Sequence, residues 1–461
     1  MKTGGIRRNC EEAKQLQERD KIMDSNKNYA KVTEFDGVPK VGELLPLAFQ
    51  HVVAMIVGCV TPAIILCGVI NADTHTQIML IQASLLISGI TTLIQLFPPV
   101  RAMGSKLPII MGVSFAYIPI LTTLGLQYDL ATILGAQLVG GLVVVLVGVF
   151  YKKVMHFFPT IVTGTVVFSI GLSLYPTAVN YMAGGVGAAD FGSPKNWAVA
   201  VFTLAVVIFF SYFTKGILSQ AAILIGMIAG YILALVLGMV SFDNVASASW
   251  FQLPPVGQFG LKFVPSAIAA MTIMCIIEAV EAIGDLTSTA CGGLDRDPSE
   301  QEISGGIVGN GLCSVLGAFF GGLPTATFSQ NVGIVILTRV INRYVLGAAA
   351  VFILIAGFIP KAASVLTTIP SCVLGGATIS VFSMIAMTGI KLIQKAGFTN
   401  RTMMIVGVSV ALGSGITQAE GCLQLFPQWF ITIFGGSSVV VTTILSIFLN
   451  TILPKESEEE E

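Results

Sequence analysis

Apolar runs of about 20 residues recur along the chain, and each is long enough to cross the hydrocarbon layer of a bilayer as a helix. Hydrophobic residues make up 54% of the 461 positions and charged residues only 11%. This fraction of charged residues is too low to cover the surface of a water-soluble protein of this size. We therefore predict an all-α polytopic membrane protein. The clearest runs are 44–70, 78–96, 131–150, 197–213, 217–240 and 430–453.

Other compositional signals exclude several functional classes. The net charge is −1, so no surplus of positive charge indicates a nucleic-acid partner. The eight cysteines form no C-x-x-C pair and predict neither a metal centre nor a disulfide framework. No glycine-rich phosphate loop precedes a helix, and no nucleophile–base constellation is visible. We expect no metal, no cofactor and no enzymatic activity.

Lysine and arginine predict the orientation, because they are concentrated in the cytoplasmic loops of membrane proteins. The apolar segments give fourteen predicted spans, two of them short. With a cytoplasmic N terminus, only Lys195, Lys262 and Lys361 of the 24 Lys and Arg fall outside. We predict a multi-pass protein of the cytoplasmic membrane with both termini in the cytoplasm. The arm 1–42 and the acidic tail 455–461 are expected to be disordered.

Three short matches indicate an internal repeat. Leu107-Pro108 recurs as Leu323-Pro324, 216 positions later. The segments at 134–136 and 159–164 recur 212 and 211 positions later. The matches predict two halves of seven spans, 43–243 and 244–454. Because seven is odd, the second half enters the membrane from the opposite side, as in the inverted repeats of many transporters.

The repeat pairs two segments that are too short for full spans. These are LPIIMGVSFAYIPIL at 107–121 and LPTATFSQNVGIVIL at 323–337, the predicted broken spans 3 and 10. Irregular backbone survives in a membrane where it lines a cavity or is buried in protein. Two half-helices would direct their N-terminal N–H groups towards one region. The alternative is an ordinary proline-broken helix packed on its neighbours.

Aligning the two Leu-Pro pairs fixes an offset for these segments. With an offset of 216 positions, Ser114 in the first segment corresponds to Gln330 in the second. Gln330 and the following Asn331 are polar residues in apolar surroundings, at one of the two breaks. We therefore predict that the breaks form a binding site.

Three carboxylates lie within one apolar segment. Glu278, Glu281 and Asp285 are spaced i, i+3 and i+7, so they share one face of a helix. Intramembrane acids usually face a cavity and act on substrate or protons. In the alternative, Asp285 is merely hydrated at the cytoplasmic end of the helix, and Glu278 has no specific role. His51, in the first span, is predicted to be structural and to orient the site.

Together these residues resemble the nucleobase–ascorbate transporter family (nucleobase:cation symporter-2), and especially its bacterial xanthine and uric acid permeases. Q-N-x-G at 330–333, followed by Thr338-Arg339, is similar to the family signature. QHVVAM, MGVSFAY, FFPTIVTG, EAIGDLTSTA and VLGGATISVF are similar to family segments and occur in family order. The resemblance implies two inverted seven-span repeats, a substrate-carrying core domain, a gate domain that forms a homodimer, and elevator-type movement.

The resemblance also implies the site. Glu281 would accept hydrogen bonds from ring N–H groups, and Gln330 would make a two-point amide contact with the ring edge. The implied substrate-binding residues are Glu281, Gln330, Ala116, Tyr117, Phe115 and Gly333. The residues implied in coupling or in site architecture are His51, Asp285, Asn310, Asn331, Thr338 and Arg339.

Two positions refine the predicted function. Family members with Gln at the position of Gln330 tend to carry oxidised purines, so we predict an importer of xanthine or uric acid. Asn310 stands where many family members have Asp, so coupling would rest more on Glu281 or use a cation other than the proton. The prediction is a secondary active transporter, a proton symporter. A uracil or other nucleobase permease, and a channel or anion exchanger of the same fold, remain as alternatives.

Overall fold

The computed structural model describes residues 31–454 except 243, 244, 247, 255 and 420. Most of the arm and the whole tail, where we expect disorder, lie outside the described residues. The first half contains α1 (Val41–Val69), α2 (Thr74–Leu96), β1 (Met111–Val113), a 3₁₀ turn (Phe115–Tyr117), α3 (Ile118–Gln127), α4 (Leu130–Val149), α5 (Tyr151–Met155), α6 (Thr160–Met182), α7 (Pro194–Phe213), α8 (Ile217–Gln220) and α9 (Ala222–Val236).

The second half has a similar order of elements. It contains α10 (Pro265–Leu294), α11 (Glu300–Phe320), β2 (Thr325–Thr327), α12 (Ser329–Thr338), α13 (Arg343–Gly357), α14 (Pro360–Thr367), α15 (Ser371–Ala396), α16 (Asn400–Gln418), α17 (Gln428–Phe430), a π-helical turn (Ile431–Gly435) and α18 (Ser438–Ile452).

Several helices begin where a side chain satisfies the free N–H groups of the first turn. Asp73 caps α2 and Asp129 caps α4, each accepting from the backbone N–H three residues later. Ser299 and Glu302 form a capping box at the start of α11. That helix ends at Gly321, whose φ of 77° suits glycine. Local sequence therefore fixes these boundaries before tertiary packing is considered.

Eight described helices are long and apolar enough to cross a membrane, or up to ten if each of two bent pairs counts as one span. The bends are 84° between α13 and α14 and 83° between the π-helical turn and α18. This confirms the predicted class of polytopic helical membrane protein. The count of fourteen spans and the inverted repeat stay predictions. The shorter apolar helices are Phe115–Gln127, Ala222–Val236 and Ser329–Thr338.

The two strands pair with each other. β1 runs antiparallel to β2, with Gly112 opposite Ala326. This pairing satisfies backbone groups that water cannot reach. The strands begin at 111 and 325 and so lie 214 positions apart, whereas the Leu-Pro pairs lie 216 apart. The predicted equivalence of Ser114 and Gln330 is therefore wrong by two positions, because the segment before β1 is longer; Ala116 is the equivalent of Gln330.

Hydroxyl groups satisfy the outer edges of this two-stranded ribbon. On β1, the Thr92 hydroxyl donates to the Met111 carbonyl oxygen at 3.0 Å and accepts from the Met111 N–H at 2.9 Å. On β2, the Thr325 N–H donates to the Ser314 hydroxyl oxygen at 3.3 Å. Thr92 belongs to α2 and Ser314 to α11, so helices on both sides hold the ribbon in place.

Phe328, between β2 and α12, packs its ring against two glycines. A Cβ atom on Gly58 of α1 would lie 2.3 Å from Phe328 Cε1, and one on Gly112 of β1 would lie 2.1 Å from Cε2. These distances are shorter than any ordinary carbon–carbon contact. Glycine at both positions therefore makes the space for the ring, and the ring locks the ribbon against α1.

The helices form two groups. α1, α2, α10 and α11 contact the ribbon, with α4 and α13 packed on these helices, whereas α7, α16 and α18 pack around the pair formed by α6 and α15. Glycines allow α6 and α15 to approach closely, because small residues let helix backbones come together in membranes. A Cβ on Gly171 would lie 2.4 Å from the backbone nitrogen of Ala386, and one on Gly389 would lie 2.3 Å from that of Phe168.

We predict that Gly58→Ala lowers the melting temperature of the purified protein in detergent. The added methyl group must displace the Phe328 ring, and overpacking of this kind costs about 1–3 kcal/mol. Gly407→Ala is the matched control, because its Cβ in α16 meets no heavy atom within 4 Å. Equal melting temperatures for the two variants would contradict the packing described here.

Candidate substrate-binding site

The three carboxylates lie along one face of α10. Glu278 is near the middle of this 30-residue helix and is only 1% exposed, whereas Glu281 and Asp285 are half-buried. The Oε2 atoms of Glu278 and Glu281 are buried without a hydrogen-bond partner among the described residues. Gly284 is exposed, and a Cβ there would meet nothing within 4 Å. The row thus combines unpaired, buried carboxylate oxygens with a small exposed residue one turn from Glu281.

Asp285 joins α10 to the second broken segment. Its carboxylate accepts from the Thr327 hydroxyl at 2.5 Å and from the Ser329 hydroxyl at 2.9 and 3.0 Å. Thr327 ends β2 and Ser329 begins α12. Asp285 is thus engaged by two side chains, and the alternative of a merely hydrated helix end does not describe it.

Asn331 joins α12 to α1. Its amide nitrogen lies 3.1 Å from His51 Nδ1 and donates to the His51 carbonyl oxygen at 3.1 Å. Both side chains are only 1% exposed. If Asn331 donates to both acceptors, the imidazole proton is on Nε2. This contact joins α12 to α1; that Asn331 holds the break and that His51 orients the site stay predictions.

Asn310 holds the strand that leads to Gln330. Its side-chain oxygen accepts from the Thr325 hydroxyl at 2.7 Å, and it is 2% exposed. Thr325 is the first residue of β2. A buried amide therefore fixes this end of the ribbon, and any part of Asn310 in coupling stays a prediction.

The first broken segment is more deeply buried. The Ser114 hydroxyl oxygen accepts from the Ala116 N–H at 3.1 Å, and the hydroxyl faces Glu278. Tyr117 is 1% exposed, with its hydroxyl beside Cys275. The ring of Phe115 packs edge-on against Phe382, with centroids 5.3 Å apart. The rings of Phe115 and Tyr117 are therefore both packed against protein.

Gln330 and Gly333 line a cavity of about 780 Å³ between α12 and the helix group that contains α7 and α15. Polar groups from the other side are few and include Ser211, Ser380 and Ser383. Glu281 is not in this lining. The predicted substrate contacts therefore lie in two places: Glu281 is in the row of carboxylates on α10, and the Gln330 amide faces the neighbouring cavity. The Asp285–Ser329 hydrogen bond lies between them.

Thr338 and Arg339 lie at the far end of α12. The Thr338 hydroxyl donates to the Ile334 carbonyl oxygen at 2.8 Å. Arg339 has a φ of 58° and pairs with Asp295 at 2.7 Å. Because Asp295 follows the end of α10, this ion pair joins the ends of the two site helices. A part of Thr338 and Arg339 in site architecture stays a prediction.

The structure adds residues that the sequence interpretation missed. Thr325 and Ser314 are buried and hydrogen-bonded to each other, and the half-buried Thr327 and the exposed Ser329 both donate to Asp285. The available signal was the run TATFS at 325–329, which places three hydroxyl residues within or beside a strand in apolar surroundings. Among the described residues, no group of three or more His, Cys, Asp or Glu is placed to hold a metal ion.

Comparison with known proteins identifies the family. A family model described as "Permease family" matches residues 42–421. The xanthine permease of Bacillus subtilis is 34% identical over 89% of this chain and 94% of its own length. The uric acid permease PucK of the same organism is 34% identical over 88% of this chain and 95% of its own. The chain belongs to the nucleobase–ascorbate transporter family.

As a member of this family, the protein is a membrane permease and not an enzyme. Its fold is similar to that of a solved structure, the transmembrane domain of the cyanobacterial bicarbonate transporter BicA. The TM-score is 0.58, with 15% identity, over 88% of this chain and 96% of the BicA domain. At this identity the similarity concerns the fold alone.

We predict that Asn331→Ala impairs this nucleobase–ascorbate transporter for every substrate and lowers its melting temperature. The change removes the amide next to the buried His51 Nδ1, and leaving such a polar atom without a partner costs about 1–3 kcal/mol. Gln330→Ala is the matched control for stability, because the neighbouring Gln330 side chain faces the cavity. A melting temperature equal to that of the wild type would contradict a structural role for Asn331.

Proposed function

We propose that the protein is a secondary active transporter that imports an oxidised purine, such as xanthine or uric acid, with protons as the coupling ion. The observation that carries the proposal is the row of carboxylates in α10, hydrogen-bonded through Asp285 to the helix that presents Gln330. The family membership and the xanthine and uric acid permeases among its relatives support it.

The residues suit a planar heterocycle with donors and acceptors on its rim. Glu281 has a buried oxygen free to accept from ring N–H groups. Gln330 offers a donor and an acceptor on one amide, and Ala116 offers backbone groups at the start of the first broken segment. Asp285 is one helical turn from Glu281, and Ser329 is adjacent to Gln330. The Asp285–Ser329 hydrogen bond therefore sets the distance between Glu281 and Gln330, the two side chains that would contact the ring.

The two helix groups suggest how transport proceeds. We propose that the group around the ribbon is the substrate-carrying core and that the group around α6 and α15 is the gate. The cavity at Gln330 lies between them and supplies space for an elevator-type displacement of the core. Close packing of α6 on α15 gives the gate a rigid centre, and we propose that the protein forms a homodimer through the gate. We further propose that the chain crosses the membrane fourteen times and that both termini lie in the cytoplasm.

We predict that Glu281→Gln abolishes accumulation of xanthine against its gradient while the protein still reaches the membrane. Glutamine keeps the size of the side chain but can neither bind nor release a proton at this position. Uptake of radiolabelled xanthine into cells or proteoliposomes, normalised to the amount of protein in the membrane, measures the effect. Concentrative uptake by Glu281→Gln at the wild-type level would refute the coupling role.

We predict that Gln330→Glu weakens binding of xanthine and uric acid by about tenfold to a hundredfold, because losing a matched polar pair in a buried site costs about 1–3 kcal/mol. Glutamate keeps the size but replaces the amide donor with an acceptor. Uracil should be favoured relative to xanthine. Competition binding of xanthine, uric acid, uracil and guanine to the purified protein tests this.

The same panel distinguishes the proposed substrate from the alternatives. A wild-type protein that prefers uracil would support the uracil permease instead. An unchanged ratio of xanthine to uracil affinity in Gln330→Glu would show that Gln330 does not contact the base.

A further inference from the structure

Glu278 is a buried carboxyl group that the transport proposal leaves without a role. It is 1% exposed, and its Oε2 atom has no hydrogen-bond partner among the described residues. The titratable groups that face it are Glu281, Asp285 and Cys275 on α10 and Tyr117 on the 3₁₀ turn. None of these groups is a lysine or arginine. A carboxylate in such surroundings lacks the cation that usually offsets burial of a charge.

Ser114 connects Glu278 to the proposed substrate site. Its hydroxyl oxygen accepts from the Ala116 N–H at 3.1 Å, and the hydroxyl faces Glu278. A serine hydroxyl has one proton to donate and two lone pairs. Such a hydroxyl is able to donate to an ionised carboxylate and to accept from a protonated carboxyl group. Ser114 therefore places a hydroxyl between Glu278 and the Ala116 backbone.

Glu278 and Glu281 lie three residues apart, on one face of α10. Two ionised carboxylates at this spacing repel each other where water and cations are scarce. Ring N–H groups of a bound purine stabilise the ionised form of Glu281, because hydrogen bonds to a charged group favour it. With Glu281 ionised, the repulsion is relieved when Glu278 binds a proton.

We propose that Glu278 is a second proton-binding site, which holds a proton while Glu281 is ionised against the substrate. This inference rests on the proposed purine transport. The proton comes from water by way of the half-buried Glu281, and the only bond formed at Glu278 is a carboxyl O–H. When the substrate leaves, Glu281 is free to accept that proton and return it to water. The loaded pair thus carries one negative charge instead of two.

The test uses the full-length protein in proteoliposomes with radiolabelled xanthine. One arm measures exchange of xanthine at equal concentrations without a gradient, and the other measures accumulation driven by an inward proton gradient. We expect Glu278→Gln to retain exchange and to lose accumulation. Glu278→Asp, which can still bind a proton, should retain both. Glu43→Gln is the matched control: Glu43 also has a buried carboxylate oxygen without a partner, but it lies in the first turn of α1.

Infrared difference spectroscopy supplies a readout that a merely structural role would not change. A band from a protonated carboxyl group should be present with xanthine bound, absent in Glu278→Gln and retained in Glu43→Gln. If Glu278→Gln does not fold, a displaced band in Glu278→Asp relative to wild type carries the same assignment. Accumulation by Glu278→Gln at the wild-type level, or persistence of the band in that variant, would overturn the proposal.

Failure of the transport proposal gives a different result. A wild-type protein that exchanges neither xanthine nor uric acid would refute the proposed function. An infrared pH titration without substrate would still decide whether Glu278 binds a proton, since it compares wild type with Glu278→Gln and Glu278→Asp directly.

Discussion

Every backbone N–H and carbonyl group inside a bilayer must find a partner within the protein. A helix satisfies this need by itself, but a helix that breaks in mid-membrane does not. Here two breaks satisfy each other, because the three residues of β1 pair with the three of β2. The other features of the site follow from this pairing. It brings the starts of the two half-helices together, and it places Ala116 and Gln330 at equivalent positions.

The polar residues around the ribbon have distinct tasks. Asn310 and Ser314 hold β2, Asp285 holds the junction of β2 with α12, and Asn331 holds α12 against α1. Each makes hydrogen bonds within the protein, although the side-chain oxygen of Asn331 has no partner among the described residues. Glu278, Glu281 and Gln330 are arranged otherwise, with free polar atoms or a face towards the cavity. A selective transporter requires both residues that hold the site in place and residues that remain free to bind the ligand, since recognition depends on fixed geometry.

Much of this could be predicted from the sequence, for identifiable reasons. Membrane class follows from apolar length, and the face shared by Glu281 and Asp285 follows from helical periodicity. The family follows from several ordered segments. The residue equivalence between halves was missed by two positions, because the Leu-Pro pairs lie outside the strands and the loops that join them differ in length. The partners of Asp285 and Asn331 were out of reach, since they lie 42 to 280 positions away and depend on how helices cross. Glu278 looked dispensable because its neighbour Ser114 comes from the other half.

The hydroxyl-capped edges of the ribbon have a consequence for how such proteins diverge. Thr92 and Ser314 sit on helices and satisfy one strand residue each, so the ribbon has no spare edge along which it can lengthen or shift register. An inserted or deleted residue in either strand would move every later donor out of place and turn every later side chain of that strand to the opposite face. Substitutions within the ribbon preserve this framework. Change in ligand preference should therefore accumulate through replacement of side chains, while the length of these two segments stays constant.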